Sequence, residues 1–392
     1  MNIMNIEVID IMKNILMLTP DYPPNVFGGI GTYVYYLAHS LEKKGWYVTV
    51  VVIRCDLFIS SNFTIERNNN IEIIRFTIDQ EKQNKYKNGK LDYYTFRSII
   101  DNINASDALL KYLHNKSFSL IHVHDHYVGI LFDILKTTFS IPSVTTIHSC
   151  KASEEYFEDS IRRYVSISTD HVIAVSESIK KEIIRKYAQK EHKITVIPGG
   201  LGNVKDNIVS EKDNIISFCG RLIPSKGCDI LIKAFAQLKQ NMEFDNLSLI
   251  IMGDGDQIKE LNTLVKDLNL YNVEFRGWVS EDEVRSQIAK STIHVVPSLY
   301  EPFGLSALEA MAEGTCVCAS NVGGIKDFIT HNHDGILIEP NNVNILSIQL
   351  ENLLYNSGYR NRLAENALVT AKSYCFDNMI EKVIEIYENL LV

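Results

Sequence analysis

Residues 215–227, Ile-Ile-Ser-Phe-Cys-Gly-Arg-Leu-Ile-Pro-Ser-Lys-Gly, run from an apolar segment into a loop that carries two cations. The segment Ile215–Cys219 predicts a buried strand, and a helix is predicted after Gly227. Arg221 lies at the strand end and Lys226 near the helix start. Two cations at a helix N-terminus are typical of a diphosphate site, where they would stabilise the charge that builds as the diphosphate departs. Two solvated basic residues beside a turn explain this pair equally well.

The same succession of strand, loop and helix recurs along the chain. The valine-rich segment Tyr47–Ile53 is typical of a strand that is buried on both faces. Strands that alternate with helices imply a parallel sheet with right-handed crossovers, and therefore an α/β fold. The other predicted strands are Asn14–Leu18, Leu120–Val123, Val144–Ile147, Val172–Val175, Ile194–Ile197, Leu247–Met252, Val273–Phe275, Ile293–Val296 and Cys316–Ala319.

Three helices have sequence signals at their ends. Ile30–Lys44 has its apolar residues at helical spacing, and Gly45 is placed to end it in a left-handed conformation. Ser280 with Glu283 predicts a capping box at the start of another helix. Met379–Leu391 is predicted as an amphipathic C-terminal helix.

The predicted domain boundary follows the first group of strands. Pro198-Gly199-Gly200 and the polar stretch after it read as a linker. We therefore predict an N-terminal Rossmann-like domain over 1–198, a C-terminal Rossmann-like domain over 199–375, and a helix over 376–392 that packs back on the N-terminal domain. Ligands of such sheets bind outside the carboxyl ends of the strands, in this case in a cleft that the two domains face. Residues that directly follow a strand are thus the candidates for function.

A second polar segment follows the predicted strand Ile293–Val296. It is residues 298–310, Ser-Leu-Tyr-Glu-Pro-Phe-Gly-Leu-Ser-Ala-Leu-Glu-Ala. A helix is predicted from about Gly304, which would leave its first amides free for phosphate oxygens. Glu301 before that helix and Glu309 inside it can each accept two hydrogen bonds from a pair of sugar hydroxyls. The alternative is a helix-start charge and a surface residue, although the apolar neighbours of Glu309 do not suit a surface position.

Composition limits the class of protein. The chain has 392 residues, which suggests two domains, and a net charge of −9, which disfavours nucleic acid as a partner. No apolar run reaches the ~20 residues that a membrane helix needs, and residues 1–15 lack the basic start of a signal peptide. Seven scattered cysteines argue against a disulfide framework. The expected location is the cytoplasm.

Two basic clusters have alternative explanations. Each is either a solvated helix face or a surface that docks on an anionic membrane, which would place the protein at the inner face of that membrane. The clusters are Lys82, Lys85, Lys87 and Lys90, and Lys180, Lys181, Arg185 and Lys186.

Three groups of residues have spacings that suggest metal ligands. Asp254 and Asp256 form a D-x-D sequence, but a turn-forming and a helix-start role fit them better. Cys316 and Cys318 lie in an apolar run and are expected to pack on one face of a strand. A further group consists of His122, His124, Asp125 and His126, for which we favour packing at a strand end and a role on the acceptor side.

The run Glu301-Pro302-Phe303-Gly304-Leu305-Ser306-Ala307-Leu308-Glu309 is an E-x7-E motif that resembles that of glycosyltransferase family 4, whose members have the GT-B fold. Further segments resemble the family in the expected order, over roughly residues 13–375. They are residues 28–34, Gly-Gly-Ile-Gly-Thr-Tyr-Val; 145–148, Thr-Thr-Ile-His; 220–227; 251–255, Ile-Met-Gly-Asp-Gly; and 275–279, Phe-Arg-Gly-Trp-Val. At residues 198–202 the chain has Pro-Gly-Gly-Leu-Gly where family members often have Asn-Gly.

The resemblance implies roles for particular residues. Arg221 and Lys226 would hold the diphosphate, and Glu301 would hold hydroxyls of the transferred sugar. His148 would lie near the anomeric centre or the 6-position of that sugar. Among the remaining donor-binding residues, Glu309 would hold the ribose through its carboxylate. Gly29 would let the backbone approach the donor phosphate or the acceptor closely, and others would contribute backbone groups that contact the phosphate or the base. The remaining donor-binding residues are Gly29, Gly253, Val279, Phe303, Gly304, Leu305 and Glu309, and the expected acceptor-side residues are Tyr33, His124 and Asp125.

The resemblance also implies an activity. The expected enzyme is a retaining glycosyltransferase that moves a hexose or N-acetylhexosamine from UDP-glucose, UDP-N-acetylglucosamine or a related donor to a small-molecule, glycan or lipid-linked acceptor. The transfer would proceed by front-face attack, with no metal or other cofactor. A non-hydrolysing nucleotide-sugar epimerase and a silent sugar-nucleotide-binding protein are the alternatives. The sequence leaves open whether the protein forms a homodimer and whether it contacts a membrane peripherally.

Overall fold

The computed structural model describes residues 13–24, 29–53, 59–79, 81, 103–150, 156–202, 204 and 212–391. They form two compact units. The N-terminal unit consists of residues up to Ala174, Lys180–Ile197 and the residues from Met379 onward, and the C-terminal unit consists of Val175–Ile179 and Pro198–Asn378. Relative to the predicted division, the C-terminal unit begins at Pro198 and also takes in the short segment Val175–Ile179.

The N-terminal unit contains a sheet with the strand order β3-β4-β2-β1-β5-β6-β7-β8. Only the β3–β4 pair is antiparallel among the strands of the described part. The strands are β1 (Asn14–Thr19), β2 (Tyr47–Val52), β3 (Ile59–Asn68), β4 (Ile71–Ile78), β5 (Leu120–His124), β6 (Ser143–Ile147), β7 (His171–Ala174) and β8 (Ile194–Val196). The helices that accompany them are α1 (Gly29–Lys43), α2 (103–113), α3 (Gly129–Phe139), α4 (Tyr156–Ser168) and α5 (Glu177–Tyr187).

The centre of this sheet is apolar on both faces, which explains why its strands could be predicted. Leu16 of β1 pairs with Thr49 of β2 on one side and with Ile121 of β5 on the other. Leu16 and Ile121 are fully buried. Parallel strands covered by helices on both faces read as continuous apolar runs, and β1, β2 and β5 do so.

The C-terminal unit contains a parallel sheet with the order β11-β10-β9-β12-β13-β14. Its strands are β9 (Asp213–Cys219), β10 (Ser248–Met252), β11 (Val273–Gly277), β12 (Ser291–Val296), β13 (Cys316–Ser320) and β14 (Ile336–Ile338). Its helices are α6 (Cys228–Leu238), α7 (Ile258–Asp267), α8 (Glu281–Lys290), α9 (Leu305–Ala312), α10 (Val343–Tyr355) and α11 (Ser357–Ser373), and α12 (Phe376–Leu391) begins there as well. Both units are therefore Rossmann-like, as predicted.

The predicted helix ends have the expected geometry. Gly45, two residues after α1, has a φ of +84°, and the capping box of Ser280 and Glu283 is present at α8. Cys316 and Cys318 are both buried in β13. No helix within the described ranges is long and apolar enough to cross a bilayer.

Three strands were not predicted. In β3 and β4, polar residues interrupt the apolar pattern, and in β3 Ile65 is 37% exposed. Their antiparallel pairing adds a hairpin at the edge of the N-terminal sheet, next to β2. The third strand, β14, has only three residues, which is too short for a periodic signal.

Candidate functional site

Two loops of the C-terminal unit lie side by side because their strands are neighbours. β9 and β12 pair in parallel, so the loops at their carboxyl ends, residues 220–227 and 297–304, begin at the same edge of the sheet. The amide of Leu299 donates a hydrogen bond of 2.8 Å to the carbonyl oxygen of Ser225. The sheet topology therefore brings together the two motifs that the sequence singled out.

Lys226 and Glu301, which belong to different loops, form an ion pair. Lys226 Nζ lies 2.6 Å from Glu301 Oε2, and the side chains are 20% and 9% exposed. The hydroxyl of Ser298 donates to the same carboxylate oxygen at 3.0 Å. Glu301 Oε1 accepts none of the hydrogen bonds found among the described residues. One oxygen of this carboxylate is thus held by protein groups, and the other remains available to a ligand.

The helix that follows Glu301 begins with a left-handed glycine. Gly304 is the N-cap residue of α9, with a φ of +108° and no side-chain cap. A Cβ on Gly304 would lie 2.7 Å from a side-chain carbon of Ile325, so a larger residue would be strained as well as crowded. The amides of Leu305 and Ser306 have no acceptor within the described part of the chain. A helix start of this kind is an anion site.

Phe303 closes the apolar side of this loop. Its ring is 8% exposed and packs against Phe328, with the ring centroids 5.4 Å apart. The side chain therefore anchors the loop, while the neighbouring backbone carries the polar groups.

Arg221 differs from Lys226 in its surroundings. It is exposed, and its guanidinium forms no hydrogen bond or ion pair with any described residue. The backbone beside it is tightly packed, because a Cβ on Gly253 would overlap the carbonyl oxygen of Gly220. Gly253 has a φ of +132°, a conformation that only glycine adopts easily. The guanidinium thus stands on a rigid loop and is free to bind an anion.

Glu309 has a strongly perturbed carboxyl group. Burial, reinforced by the negative charge of Glu281, raises its pKa from about 4.5 to about 8. The side chain keeps part of its surface, and its carboxyl group forms no hydrogen bond with a described residue. The thiol of Cys219 is close enough to both Glu309 and Lys226 to respond to their charges, although burial is the main cause that raises its pKa to about 12. Glu309 therefore belongs to the same neighbourhood as Lys226.

The loop that contains Val279 is fixed at both ends. The amide of Gly253 donates to the carbonyl oxygen of Gly277 at 2.7 Å, which joins the ends of β10 and β11. Val279 is half-buried and directly precedes the capping box of α8. Its backbone is available at the same edge of the sheet as the two motif loops.

In the N-terminal unit, the three aromatic candidates are in contact. His148 follows β6, and its Nε2 atom lies 3.3 Å from Nδ1 of His124. The ring of Tyr33 meets the His148 ring edge-on, with the centroids 4.9 Å apart. Burial lowers the pKa of His148 to about 4 and that of His124 well below its usual range, so both imidazoles are neutral at pH 7.

The three residues expected on the acceptor side are all buried, and Tyr33 is 6% exposed. His124 is 0% and Asp125 is 1% exposed. His122 shares the face of His124 on β5, with the ring centroids 4.2 Å apart, and it hydrogen-bonds Tyr387 of α12 at 2.6 Å. Burial alone would raise the pKa of Asp125, but His126 and Arg162 hold it well below its usual range. The acceptor role of these three residues stays a prediction, and their contacts within the protein are extensive.

Gly29 is the first residue of α1 and is exposed. The rest of the glycine-rich loop, residues 25–28, lies outside the described residues, as does the first basic cluster, residues 82–90. The second basic cluster is partly neutralised, because Lys180 pairs with Glu191 at 3.2 Å and Lys186 with Glu182 at 3.4 Å.

The candidate metal ligands do not form a metal site among the described residues. Asp254 accepts a hydrogen bond of 2.8 Å from the amide of Gly255, as expected for a turn former. No group of three or more His, Cys, Asp or Glu side chains in the described ranges is arranged to hold a metal ion.

Sequence reasoning missed two residues of this region. Ser298 was quoted only as part of the motif, yet its hydroxyl orients the Glu301 carboxylate. Arg162 was not singled out, and it lies 3.5 Å from Asp125 within the N-terminal unit. Only the position of Ser298 directly after a strand offered a signal, whereas Arg162 lies on a helix among other charged residues.

Comparison with known proteins matches nearly the whole chain. Residues 203–369 match the family described as glycosyl transferases group 1, and residues 27–201 match glycosyltransferase family 4. An uncharacterised glycosyltransferase of Methanocaldococcus jannaschii is 31% identical over 83% of this chain and 92% of its own.

Solved structures show the same architecture. Sucrose-phosphate synthase from Thermosynechococcus elongatus superposes with a TM-score of 0.80 at 22% identity, over 96% of this chain and 99% of its own. HepE from Anabaena, solved in complex with UDP and glucose, superposes with a TM-score of 0.75 at 19% identity, over 96% of this chain and 100% of its own. The fold is GT-B.

Proposed function

The chain belongs to glycosyltransferase family 4, and on this premise we propose that it is a retaining, metal-independent enzyme that transfers glucose or N-acetylglucosamine from the UDP sugar to an acceptor hydroxyl. That the chain is a glycosyltransferase with the GT-B fold follows from the family. What we propose beyond the family is the identity of the sugar donor, the retention of the anomeric configuration and the independence from a metal ion. The acceptor is a small molecule, a glycan or a lipid-linked sugar.

The observation that carries the proposal is the arrangement around Glu301. One carboxylate oxygen is held by Lys226 and Ser298, and the other accepts no bond from a described residue. Beside it stand the unsatisfied amides of Leu305 and Ser306 at the start of α9. A sugar diphosphate requires a hydrogen-bond acceptor for its sugar hydroxyls next to N–H groups that bind its phosphate oxygens, and this arrangement provides both.

In the proposed reaction, the acceptor oxygen forms a bond to the anomeric carbon while the bond from that carbon to the diphosphate breaks. The electron pair of the broken bond leaves with UDP, and the proton of the acceptor hydroxyl passes to an oxygen of the departing phosphate. Arg221, Lys226 and the amides at the start of α9 stabilise the negative charge that develops there. Attack and departure on one face retain the anomeric configuration.

The remaining residues have supporting roles in this proposal. Glu309 accepts hydrogen bonds from the ribose hydroxyls, and the backbone around Val279 meets the base. In the N-terminal unit, neutral His148 offers one ring nitrogen to a sugar hydroxyl, while the other lies beside His124. Gly29 allows the start of α1 to approach the donor or the acceptor closely.

A screen of nucleotide sugars tests the proposal. A donor that binds the folded state raises its apparent stability by mass action, so UDP-glucose or UDP-N-acetylglucosamine should raise the melting temperature more than GDP-mannose does. The donor found in this way is then incubated with candidate acceptors, and the products are analysed by NMR. A product with the donor's anomeric configuration supports the proposal. An altered sugar nucleotide formed without any acceptor would identify an epimerase, and no binding of any sugar nucleotide would identify a silent protein.

Glu301→Gln should lower kcat about tenfold to a hundredfold, because a charged hydrogen bond to the sugar hydroxyls is lost in the transition state. UDP lacks the transferred sugar that Glu301 is proposed to hold, so its affinity should change little. Initial-rate kinetics and calorimetric titration with UDP measure the two effects. Asp229→Asn, which breaks the exposed Asp229–Lys233 pair on α6, is the matched control and should leave both unchanged. An unaltered kcat in Glu301→Gln would remove the role assigned to this carboxylate.

Activity should be the same before and after treatment with EDTA. The cations Arg221 and Lys226 and the helix start supply the positive charge that a metal ion would otherwise provide. The measurement compares initial rates before chelation, after chelation, and after addition of Mn²⁺. If EDTA abolished the activity and Mn²⁺ restored it, the metal independence would be wrong, and Asp254 and Asp256 would become candidate metal ligands.

A further inference from the structure

The backbone and the ring of His148 are held by different residues of the N-terminal unit. Its amide donates a hydrogen bond of 3.3 Å to Asp125 Oδ2. Its ring lies against His124 on one side and Tyr33 on another. The residue keeps a minor part of its surface exposed, through which it can reach a ligand. These contacts fix the direction in which a reactive imidazole points.

Asp125 adopts an unusual backbone conformation in order to make these contacts. It directly follows β5 and has a φ of +65°, a region that residues with a side chain rarely occupy. Such a conformation costs on the order of 1 kcal/mol, and it persists only where the surroundings enforce it. Oδ1 accepts a bond of 2.8 Å from the amide of His126, while Oδ2 faces His148. The carboxylate therefore joins the end of β5 to the end of β6.

Arg162 of α4 holds this carboxylate from behind. Its Nε atom lies 3.5 Å from Asp125 Oδ1, and its Nη1 atom lies 3.2 Å from Asp159 Oδ1. Tyr187 of α5 donates to the same Asp159 oxygen at 3.0 Å. The Arg162 side chain is only 5% exposed. A buried charge is costly unless it is paired, and this guanidinium is paired with Asp125 on one side and Asp159 on the other.

We propose that Arg162 is a positioning residue for the transfer reaction, and that it acts through Asp125 to fix the backbone of His148. The expected effect of Arg162 on catalysis rests on the proposed function. The contacts from Arg162 to Asp125 and from Asp125 to His148 do not, because they lie within the N-terminal unit and are seen directly. Without the guanidinium, the Asp125 carboxylate loses the permanent positive charge beside it and keeps only its contact with the His126 ring, so it either takes up a proton or turns toward water. The amide of His148 then loses its acceptor, and the imidazole moves away from its productive position.

The test compares Arg162→Met with Lys136→Met. Lys136 is a matched control because it also ties two strands of the same sheet, but at their opposite ends, where it bonds Ser143 Oγ at 2.9 Å and Asp170 at 3.4 Å. With the donor found in the screen, Arg162→Met should lower kcat about tenfold to a hundredfold with KM for the donor little changed, as expected for a small displacement of a reacting group. Lys136→Met should keep kcat. Equal rates for the two variants would overturn the proposal.

A second measurement does not depend on turnover. In protein labelled with ¹⁵N-histidine, the amide peak of His148 is assigned from its absence in His148→Gln. The peak should shift in Arg162→Met and in Asp125→Asn, and it should stay in place in Lys136→Met. If Arg162→Met does not fold, Arg162→Lys, which keeps the charge but not the guanidinium, takes its place, and the isosteric Asp125→Asn tests the contact with His148 separately. An unmoved peak in the folded variants would show that Arg162 and Asp125 do not position His148. If the wild type turns over no sugar nucleotide, the proposed function fails, and the peak still tests the contact.

Discussion

Lys226→Ala should lower kcat/KM by about a factor of 100 to 1,000, which corresponds to roughly 3–4 kcal/mol of transition-state stabilisation. In the free protein the ammonium group is paired with Glu301 at 2.6 Å and lies beside the loop that precedes α9. In the proposed reaction, the departing diphosphate gains negative charge at this place. The lysine interacts more strongly with that charge than with the ground state, so its removal should reduce kcat more than it raises KM.

The control for this variant is Lys233→Met, which breaks an exposed lysine–carboxylate pair of similar length, 2.7 Å, in the same unit. It should keep full activity and lose at most about 1 kcal/mol of stability. Lys226→Ala also leaves the Glu301 carboxylate, 9% exposed, without its cation. Rates must therefore be compared at a temperature where circular dichroism shows both variants to be folded. Wild-type kcat/KM in a folded Lys226→Ala protein would refute the proposed diphosphate clamp.

The succession of most strands along the chain and the position of the motifs could be predicted from the sequence because both depend on local patterns. A strand buried on both faces, such as β2, reads as an apolar run, and the residues after parallel strands must meet at one edge of the sheet. The hairpin β3–β4 gave no such signal, since an edge pair with one exposed face alternates irregularly. This difference explains why the predicted sheets were right at their centres and incomplete at their edges.

Pairings between side chains could not be predicted in the same way. Lys226 and Glu301 are 75 residues apart, and both were predicted to face a diphosphate sugar, not each other. Likewise, His124 and Asp125 were placed on the acceptor side because of their position after a strand. The structure adds that both are enclosed and are in contact with His148. Such contacts depend on the packing of helices such as α4 against the sheet, which no local pattern specifies.

The ligand-free protein carries a stability cost at Glu309, part of the proposed donor site, which a single substitution can reveal. Burial, followed by the charge of Glu281, raises the pKa of Glu309 to about 8, compared with about 4.5 in an unfolded chain. Between these two values the unfolded chain has released the proton, whereas the folded protein still holds it. The group therefore makes no difference to stability below about pH 4.5, and it destabilises the fold increasingly as the pH rises to about 8. A site built to bind a ligand often carries a cost of this kind.

Glu309→Gln should consequently be more stable than the wild type at pH 8, by about 1–3 kcal/mol once partial exposure is taken into account, and equal to it near pH 4.5. The same variant should bind UDP about tenfold to a hundredfold more weakly, because the hydrogen bonds from the ribose hydroxyls to a charged acceptor are lost. Denaturant unfolding across this pH range measures the first effect, and calorimetric titration with UDP measures the second.

The wild type should also release protons when it binds UDP at pH 7, because ribose hydroxyls favour the ionised carboxylate. Titrations in buffers of different ionisation enthalpy measure this release, and Glu309→Gln should release fewer protons, the remainder coming from UDP itself. Glu260→Gln, an exposed carboxylate on α7, is the control and should leave the stability within about 0.5 kcal/mol. If Glu309→Gln binds UDP as tightly as the wild type, the ribose is held elsewhere. If it is no more stable at pH 8, the carboxyl group of Glu309 is not desolvated in the free protein.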